Sequence, residues 1–203
     1  SGFVVDLTQS RSALERVYTP GRFGVSSGQP GVMISERRHL TLIHIEHRDD
    51  DAESPLMIAT AVGFPLPRAG QIAEKDGRRV LWLGPSRSLI ITSGSSADGL
   101  SDAIASSATN AAVNDISSSR IVLRLSGPNA RDVLASGCPL DLHESVFKAG
   151  MTATTNVDHY TALLDCIDTN TIDVYVARGY GVSFWQWLIE AAEEFGGKVL
   201  ASS

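Results

Sequence analysis

The sequence RIVLRLSGPNARDVL, residues 120–134, carries the clearest fold signal in this 203-residue chain. Its aliphatic first part predicts a strand over 120–125, because branched and aliphatic side chains suit a buried, pleated surface. The segment SGPN then interrupts the strand, and Ala130, Val133 and Leu134 recur at helical spacing on one face. We therefore expect a strand that turns directly into a short helix.

Two hairpins lie on either side of this strand and helix along the chain. VLWLG at 80–84 and SLIIT at 88–92 flank a turn with Pro and Ser, which predicts two short antiparallel strands. The strands predicted at 160–167 and 172–177 are joined by Asp-Thr-Asn, again a tight connection. Each hairpin therefore pairs neighbouring segments of the chain.

Helices are expected after both hairpins. Apolar residues at helical spacing predict the first over 97–107. After the second hairpin, Ser183 is the expected N-cap of a helix over 184–195, which two glycines end. A last short strand is expected over 198–200, and a short amphipathic helix over 10–18 near the beginning.

The order of these elements predicts the architecture. The second half has the order strand–helix–strand–strand–helix–strand, the split βαβ arrangement, and the first half repeats part of it. We expect an α+β fold in which two related split βαβ (ferredoxin-like) units share one mixed, mainly antiparallel sheet. Both units belong to a single domain, residues 1–203, with approximate halves 1–115 and 116–203.

Two segments rich in glycine and proline interrupt the first half. Residues 19–31 (TPGRFGVSSGQPG) predict a loop without any regular element. Strands are expected from Val32 onward and over 40–45. The sequence FPLPRAGQ, residues 64–71, predicts an extended segment that wraps the surface.

Composition excludes several classes of protein. With 43% hydrophobic and 20% charged residues, the chain has the make-up of an ordinary globular protein. A net charge of −6 disfavours nucleic acid as a partner, which would need clustered Lys and Arg. No apolar run is long enough to span a bilayer, and the first residues lack a signal-peptide pattern. Because Cys138 and Cys166 are far apart and fit a reducing compartment, we expect a cytoplasmic protein with no membrane partner.

Motifs for nucleophilic or phosphate chemistry are weak. GVSSG at 24–28 matches G-x-S-x-G around Ser26, but Gln-Pro-Gly follows where a nucleophile elbow needs a helix. GYG at 179–181 lacks the third glycine and the downstream acid of a dinucleotide site. We interpret both as turns, and predict neither a catalytic residue nor a cofactor-binding loop.

The histidines and the acidic run do not form a metal-ligand pattern. His44 and His47 are three apart in a predicted strand, so they face opposite sides. His44 and Glu46 share a face, but no third ligand can be identified. The aspartates at 49–51 predict a solvated loop tip. We predict no metal site.

Four apolar residues are candidate contacts with a partner protein. Trp185 and Trp187 lie on a predicted helix that is apolar nearly all round in its first two turns. Two residues apart, they cannot point the same way, so one of them is a candidate interface anchor. Phe64 and Leu66, in the extended segment, are the other two candidates.

A family resemblance rests on the same central stretch. The sequence resembles the gamma subunit of heterotetrameric sarcosine oxidase at LSGPNARDVL (125–134), GCPLDLH (137–143), DVYVAR (173–178) and the Trp185-x-Trp187 helix. The resemblance is good over residues 80–197 and poor in the N-terminal part. This family belongs to the folate-binding, aminomethyltransferase-like group, so the resemblance implies the fold of the aminomethyltransferase folate-binding domain.

The resemblance also implies an assembly. Its alpha, beta and delta subunits would hold FAD, FMN, NAD, tetrahydrofolate and zinc, and the gamma-type chain would hold none of them. The assembly would oxidise sarcosine to glycine and hydrogen peroxide, and would pass the one-carbon unit to tetrahydrofolate. No aminomethyltransferase carboxylate maps onto this sequence, since Asp115 has a loosely similar setting but better suits a turn.

Two other functions stay open on the sequence alone. One is a free-standing folate-binding one-carbon transferase with a pocket between the two units. The other is a hydrolase that uses Ser26. We expect neither, and predict a non-catalytic subunit.

Overall fold

The described part of the chain contains both strands and α-helices. The computed structural model describes residues 11–25 and 28–203. The strands are β1 (Gly21–Phe23), β2 (Val32–Glu36), β3 (Leu40–Glu46), β4 (Ile72–Lys75), β5 (Arg78–Gly84), β6 (Arg87–Ser93), β7 (Ala112–Asp115), β8 (Arg120–Ser126), β9 (Thr152–Val157), β10 (Tyr160–Asp168), β11 (Thr171–Ala177) and β12 (Gly197–Val199). The helices are α1 (Ser54–Val62), α2 (Leu100–Ser107), α3 (Ala130–Ala135) and α4 (Gly181–Ala192). The predicted α+β class is confirmed.

The strands form two sheets, which corrects the expectation of one shared sheet. One sheet has the order β4-β5-β6-β3-β7, and the other has the order β1-β12-β2-β8-β11-β10-β9. An isolated bridge between Gln71 and Met151 joins them. Central strands of both sheets are apolar on both faces, so each sheet buries its second face by stacking on the other.

The same order of elements builds both sheets. The series β3-α1-β4-β5-β6-α2-β7 corresponds to β8-α3-β9-β10-β11-α4-β12. In each unit the hairpin pairs with one side of the first strand, and the last strand lies on the other side. This is the predicted ferredoxin-like order, with an added edge strand, β4 or β9. In the larger sheet β2 lies between β8 and β12. The division into halves at residues 115 and 116 stays a prediction.

Alternating side chains divide the interior into three apolar layers. Helices α1 and α2 cover the outer face of the smaller sheet, and α3 and α4 cover that of the larger one. Ile121 and Leu123 pack towards the helices, whereas Val122 packs towards the other sheet. This explains the aliphatic run in β8. The layer between the sheets contains Leu42, Leu81, Leu89, Ile91, Val122, Leu163 and Tyr175.

Both predicted hairpins are present, and three local expectations are wrong. Residues 21–23 form a strand inside the predicted loop, because β12 supplies backbone partners at the edge of the sheet. Ser183 is not an N-cap: α4 begins at Gly181, and the Ser183 hydroxyl donates to the Tyr180 carbonyl. Residues 13–17 form hydrogen-bonded turns instead of the expected helix.

Some expectations fall outside the described residues. They concern Ser10, where the first helix was expected to begin, and Ser26 of the G-x-S-x-G motif. Within the described residues, the helices are all too short or too polar to cross a membrane.

The turn after β8 depends on a glycine. Gly127 has a φ of +116°, a region that side chains with a Cβ rarely adopt. A Cβ at this position would lie 2.6 Å from the backbone oxygen of Gly31. That oxygen accepts the Asn129 N–H at 3.0 Å, so the turn lies directly against the start of β2. The turn therefore holds the inserted strand in place.

We predict that Gly127→Ala destabilises the protein by about 2–3 kcal/mol, because it combines backbone strain with a steric clash. Urea unfolding followed by circular dichroism measures the change. Gly179→Ala is the control, since a Cβ there meets nothing within 4 Å. Equal unfolding midpoints for the two variants would contradict this account of the turn.

Candidate functional site between the sheets

A buried ion pair joins the two sheets. Arg79 on β5 and Asp165 on β10 belong to different sheets, and Asp165 has no exposed surface. The Arg79 Nε and Nη2 atoms donate to the two carboxylate oxygens at 2.9 and 2.7 Å. Glu74 on β4 also accepts a hydrogen bond from Arg79. Paired charge-assisted hydrogen bonds of this kind are the strongest that side chains form.

A second pair lies on the neighbouring strands. Arg124 and Asp173 are direct partners across β8 and β11. The Arg124 Nε and Nη2 atoms donate to the two oxygens of Asp173 at 2.6 and 2.8 Å. Arg37 approaches the same carboxylate, with its Nη1 atom 3.8 Å from one oxygen. Arginines therefore surround Asp173 as well.

The two aspartates are themselves cross-strand partners. Asp165 on β10 lies directly opposite Asp173 on β11. Like charges in that position destabilise a sheet unless each is compensated. The bidentate contacts from Arg79 and Arg124 supply that compensation on both sides. The four residues thus form one charged cluster inside an apolar layer, and we call them the inter-sheet cluster.

Burial shifts the pKa values of two groups at this cluster. Burial raises the pKa of Asp165, and the hydrogen bonds from Arg79 oppose that shift. Tyr175 is buried between the sheets, and its burial raises the pKa of the phenol well above its ordinary value, with the two carboxylates adding to the effect. Tyr175 therefore remains a neutral hydroxyl at physiological pH.

The cluster suits a structural role better than proton transfer. A general acid or base must reach its substrate through an accessible oxygen or nitrogen. Both oxygens of Asp165 are bonded to Arg79, and neither is exposed to solvent. Both oxygens of Asp173 are bonded to Arg124 in the same way. What this arrangement does chemically is fix the register and spacing of two sheets.

Two cavities border the inter-sheet layer, and Tyr175 lines both. One, of about 320 Å³, is polar and is lined by the arginines of the cluster together with Asp173 and Glu74. The other, of about 330 Å³, combines apolar side chains with His44, Arg87 and Arg120. Burial lowers the pKa of His44, so its imidazole is neutral at pH 7. Small-molecule sites commonly have the mixed lining of the second cavity.

The sequence predicts no metal site, and it predicts a loop tip at the aspartates 49–51. Among the described residues, no three His, Cys, Asp or Glu side chains come close enough to hold a metal ion. Asp50 pairs with Arg48 at the surface. Asp51 accepts the backbone N–H of Ser54 at 3.0 Å, so it stabilises the start of α1.

The two tryptophans occupy different environments. Trp185 is only 4% exposed, and its ring packs against Tyr18 with centroids 5.0 Å apart. Trp187 is partly buried against Phe184, with centroids 5.6 Å apart, and it also packs against Gly137. Trp185 therefore has little surface left for a partner, while Trp187 keeps some. Their role as interface contacts stays a prediction.

The extended segment continues from α1 and covers the smaller core. Phe64 and Leu66 are partly buried against the apolar layer beneath α1 and α2. Leu56 and Met57, on the outer side of α1, are 65% and 42% exposed. Sequence reasoning missed this exposed pair, although the absence of charge over residues 54–67 was a visible signal.

The inter-sheet cluster was also missed. Asp165 and Asp173 each stand inside an apolar run, in TALLDCI and TIDVYVA. A charged residue in a buried strand needs a partner of opposite charge, which was the available signal. The stacking of the two sheets decides which arginine is the partner of each aspartate. The sequence of a single strand does not contain that information.

Comparison with known proteins assigns the family. The model of the sarcosine oxidase gamma subunit family matches residues 48–194. Sarcosine oxidase gamma subunits from Corynebacterium sp. (strain P-1) and Corynebacterium sp. (strain U-96) are each 33% identical to this chain, over 147 and 148 residues. The first match covers 71% of this chain and 72% of the relative, and the second covers 71% of each.

Solved structures agree with this assignment. The heterotetrameric sarcosine oxidase from Corynebacterium sp. U-96, in complex with pyrrole 2-carboxylate, contains a chain with a TM-score of 0.82 and 26% identity, covering 91% of this chain and 95% of that one. The glycine cleavage system aminomethyltransferase T from Bartonella henselae has a TM-score of 0.67 at 14% identity, covering 96% of this chain and 60% of that one. That second likeness concerns the fold alone.

The fold is therefore that of the aminomethyltransferase-like proteins, as the sequence resemblance implied. Within that class, the chain belongs to the sarcosine oxidase gamma subunit family.

We predict that Asp165→Asn lowers the free energy of unfolding by about 3 kcal/mol, because it leaves the buried Arg79 charge without its main partner. Chemical denaturation measures the loss. Asp50→Asn is a geometrically matched control: Arg48 binds Asp50 through the same two atoms, both at 2.9 Å, but at the exposed surface. That variant should keep the wild-type midpoint. Equal effects of the two variants would show that the buried pair does not hold the sheets together.

Proposed function

We propose that this chain is the gamma subunit of a heterotetrameric sarcosine oxidase and that its role in the enzyme is structural. The assembly oxidatively demethylates sarcosine to glycine with formation of hydrogen peroxide, and it transfers the one-carbon unit to tetrahydrofolate. The observation that carries the proposal is the match along almost the whole chain to a subunit of the Corynebacterium sp. U-96 enzyme, with 91% and 95% coverage.

The charges inside the chain support a structural role. The buried carboxylates are bonded to arginines, and the buried phenol of Tyr175 is neutral. These groups stabilise the stacking of the sheets and leave the chemistry to other subunits. We propose that the alpha, beta and delta subunits are the partners and that they hold FAD, FMN, NAD, tetrahydrofolate and zinc. A net charge of −6 and two cysteines that form no disulfide fit a cytoplasmic assembly without nucleic acid.

An apolar surface on α1 is the candidate contact with those partners. No charged residue occurs between Glu53 and Arg68, in a chain with 20% charged residues. Leu56 and Met57 point outward from this segment and are 65% and 42% exposed. Phe64 and Leu66 continue the same segment. We define residues 54–67 as the α1 surface, and propose that it packs against another subunit. Trp187 is a second candidate contact.

The alternative of a free-standing folate-binding transferase has weaker support. Its support is the structural similarity to the Bartonella henselae aminomethyltransferase T. At 14% identity, that similarity shows a shared fold and no shared activity. The match to a sarcosine oxidase subunit over 91% of this chain and the 33% identical gamma subunits favour the subunit role.

We predict that Leu56→Glu and Met57→Glu each prevent stable assembly, because a charge placed in an apolar interface loses its hydration. The tagged chain is co-expressed with alpha, beta and delta subunits, and the retained polypeptides are measured after affinity purification. Ala105→Glu is the control, since Ala105 is exposed on α2, the neighbouring helix, beside Asp102.

Wild type and Ala105→Glu should retain all three partners, whereas the α1 variants should lose at least one. Failure of the wild-type chain to retain any partner would contradict the proposed function. Full retention by the α1 variants would contradict only the proposed surface.

A further inference from the structure

A basic cavity lies at one end of the inter-sheet layer. It has a volume of about 220 Å³ and lies between the β2–β3 connection, the start of β8 and the residue after β11. The positively ionisable side chains that line it are Arg37, Arg38, Arg120, Arg178 and His39. Such a concentration of guanidinium groups stands out in a chain with a net charge of −6. We call it the arginine cavity.

The acid in this cavity is already paired. Among the described residues that line it, Glu36 is the one carboxylate, and it is 4% exposed. Its oxygens accept hydrogen bonds from the Ser12 hydroxyl and from Arg38 Nε, the latter at 2.9 Å. The charge of Glu36 is therefore matched by Arg38. Three guanidinium groups are left around the cavity without an acid of their own in its lining.

Arg37 carries a donor that lacks an acceptor. Its Nε atom is buried and has no hydrogen-bond partner in the described part of the chain. The nearest ionic contact of Arg37 is the 3.8 Å approach of Nη1 to Asp173, which is longer than a hydrogen bond. A buried N–H without an acceptor destabilises a protein, so such an atom is a sign of a missing partner.

The backbone beside the cavity is also unusual. His39, between β2 and β3, has a φ of +57°, a left-handed conformation that non-glycine residues adopt infrequently. It separates Arg38 from Leu40, and all three residues line the cavity. The left-handed turn at His39 therefore brings Arg38 and Leu40 to the same cavity.

We propose that the arginine cavity binds a small oxyanion, a phosphate or carboxylate group. Guanidinium groups only donate hydrogen bonds, and their fork matches the oxygens of both anions. The volume exceeds the roughly 30 Å³ that one water occupies in the liquid, so the cavity admits an anion of several atoms. An oxyanion would accept hydrogen bonds from the guanidinium groups that line the cavity and would offset their positive charge. The inference does not depend on the subunit role proposed above.

The test measures binding to the protein in the assembly in which it purifies. Isothermal titration calorimetry is run with inorganic phosphate and, separately, with acetate, which distinguishes the two anions. Arg37→Met and Arg120→Met each remove one guanidinium group from the cavity lining. Arg37 directly follows β2, and Arg120 is the first residue of β8. Arg48→Met is the control, because Arg48 is exposed and lies outside the cavity.

We expect one saturable site per copy of this chain, with binding at least roughly tenfold weaker in both cavity variants and unchanged in Arg48→Met. The anion that also raises the unfolding temperature of the wild type, and not of Arg37→Met, is the preferred ligand. Two results would overturn the proposal. One is anion binding that is equally tight in the wild type and in the cavity variants, or absent from the wild type. The other is that Arg48→Met weakens binding as much as the cavity variants do.

Discussion

The contact between Arg79 and Asp165 is the constraint on which the architecture depends. Among the described residues, it is the ion pair that crosses from one sheet to the other. Asp165 and Asp173 lie opposite each other on adjacent strands, so each needs a positive charge beside it. For Asp165 that charge is Arg79 of the other sheet, which reaches it only when the sheets stack face to face. Burial of apolar surface favours stacking in general, whereas this contact selects one relative position of the two sheets.

The stacked sheets account for what the chain offers to an enzyme complex. Each sheet has its helices on the outer face, so α1 and α4 lie at the surface, where other subunits can reach them. The interior is occupied by apolar layers and paired charges, which suit a rigid component. The arginine cavity at the end of the inter-sheet layer is the exception, since four arginines and a single carboxylate line it within the described part of the chain.

Local features of this fold were predictable from the sequence, and features set by packing were not. The hairpins, β8 and the repeat of the unit followed from aliphatic runs and turn residues. The edge strands β4 and β9 escaped, because IAEK and TATTNV are half polar and lack an aliphatic run. Two stacked sheets and one continuous sheet have the same strand patterns, so their distinction required the tertiary structure. The candidate contacts Trp185 and Trp187 illustrate the same limit. Their spacing predicts that the two side chains point in different directions, but it does not predict which of them is buried in the core.

The central claim, that this chain is a structural subunit of a flavin-containing oxidase, is tested most directly by native mass spectrometry of the protein isolated untagged from its own cells, together with an absorption spectrum. The account predicts one copy of the chain in a complex with three other kinds of polypeptide and a flavin spectrum that is absent from the chain when it is separated. Recovery of the chain as a colourless monomer, with no associated polypeptide, would contradict it.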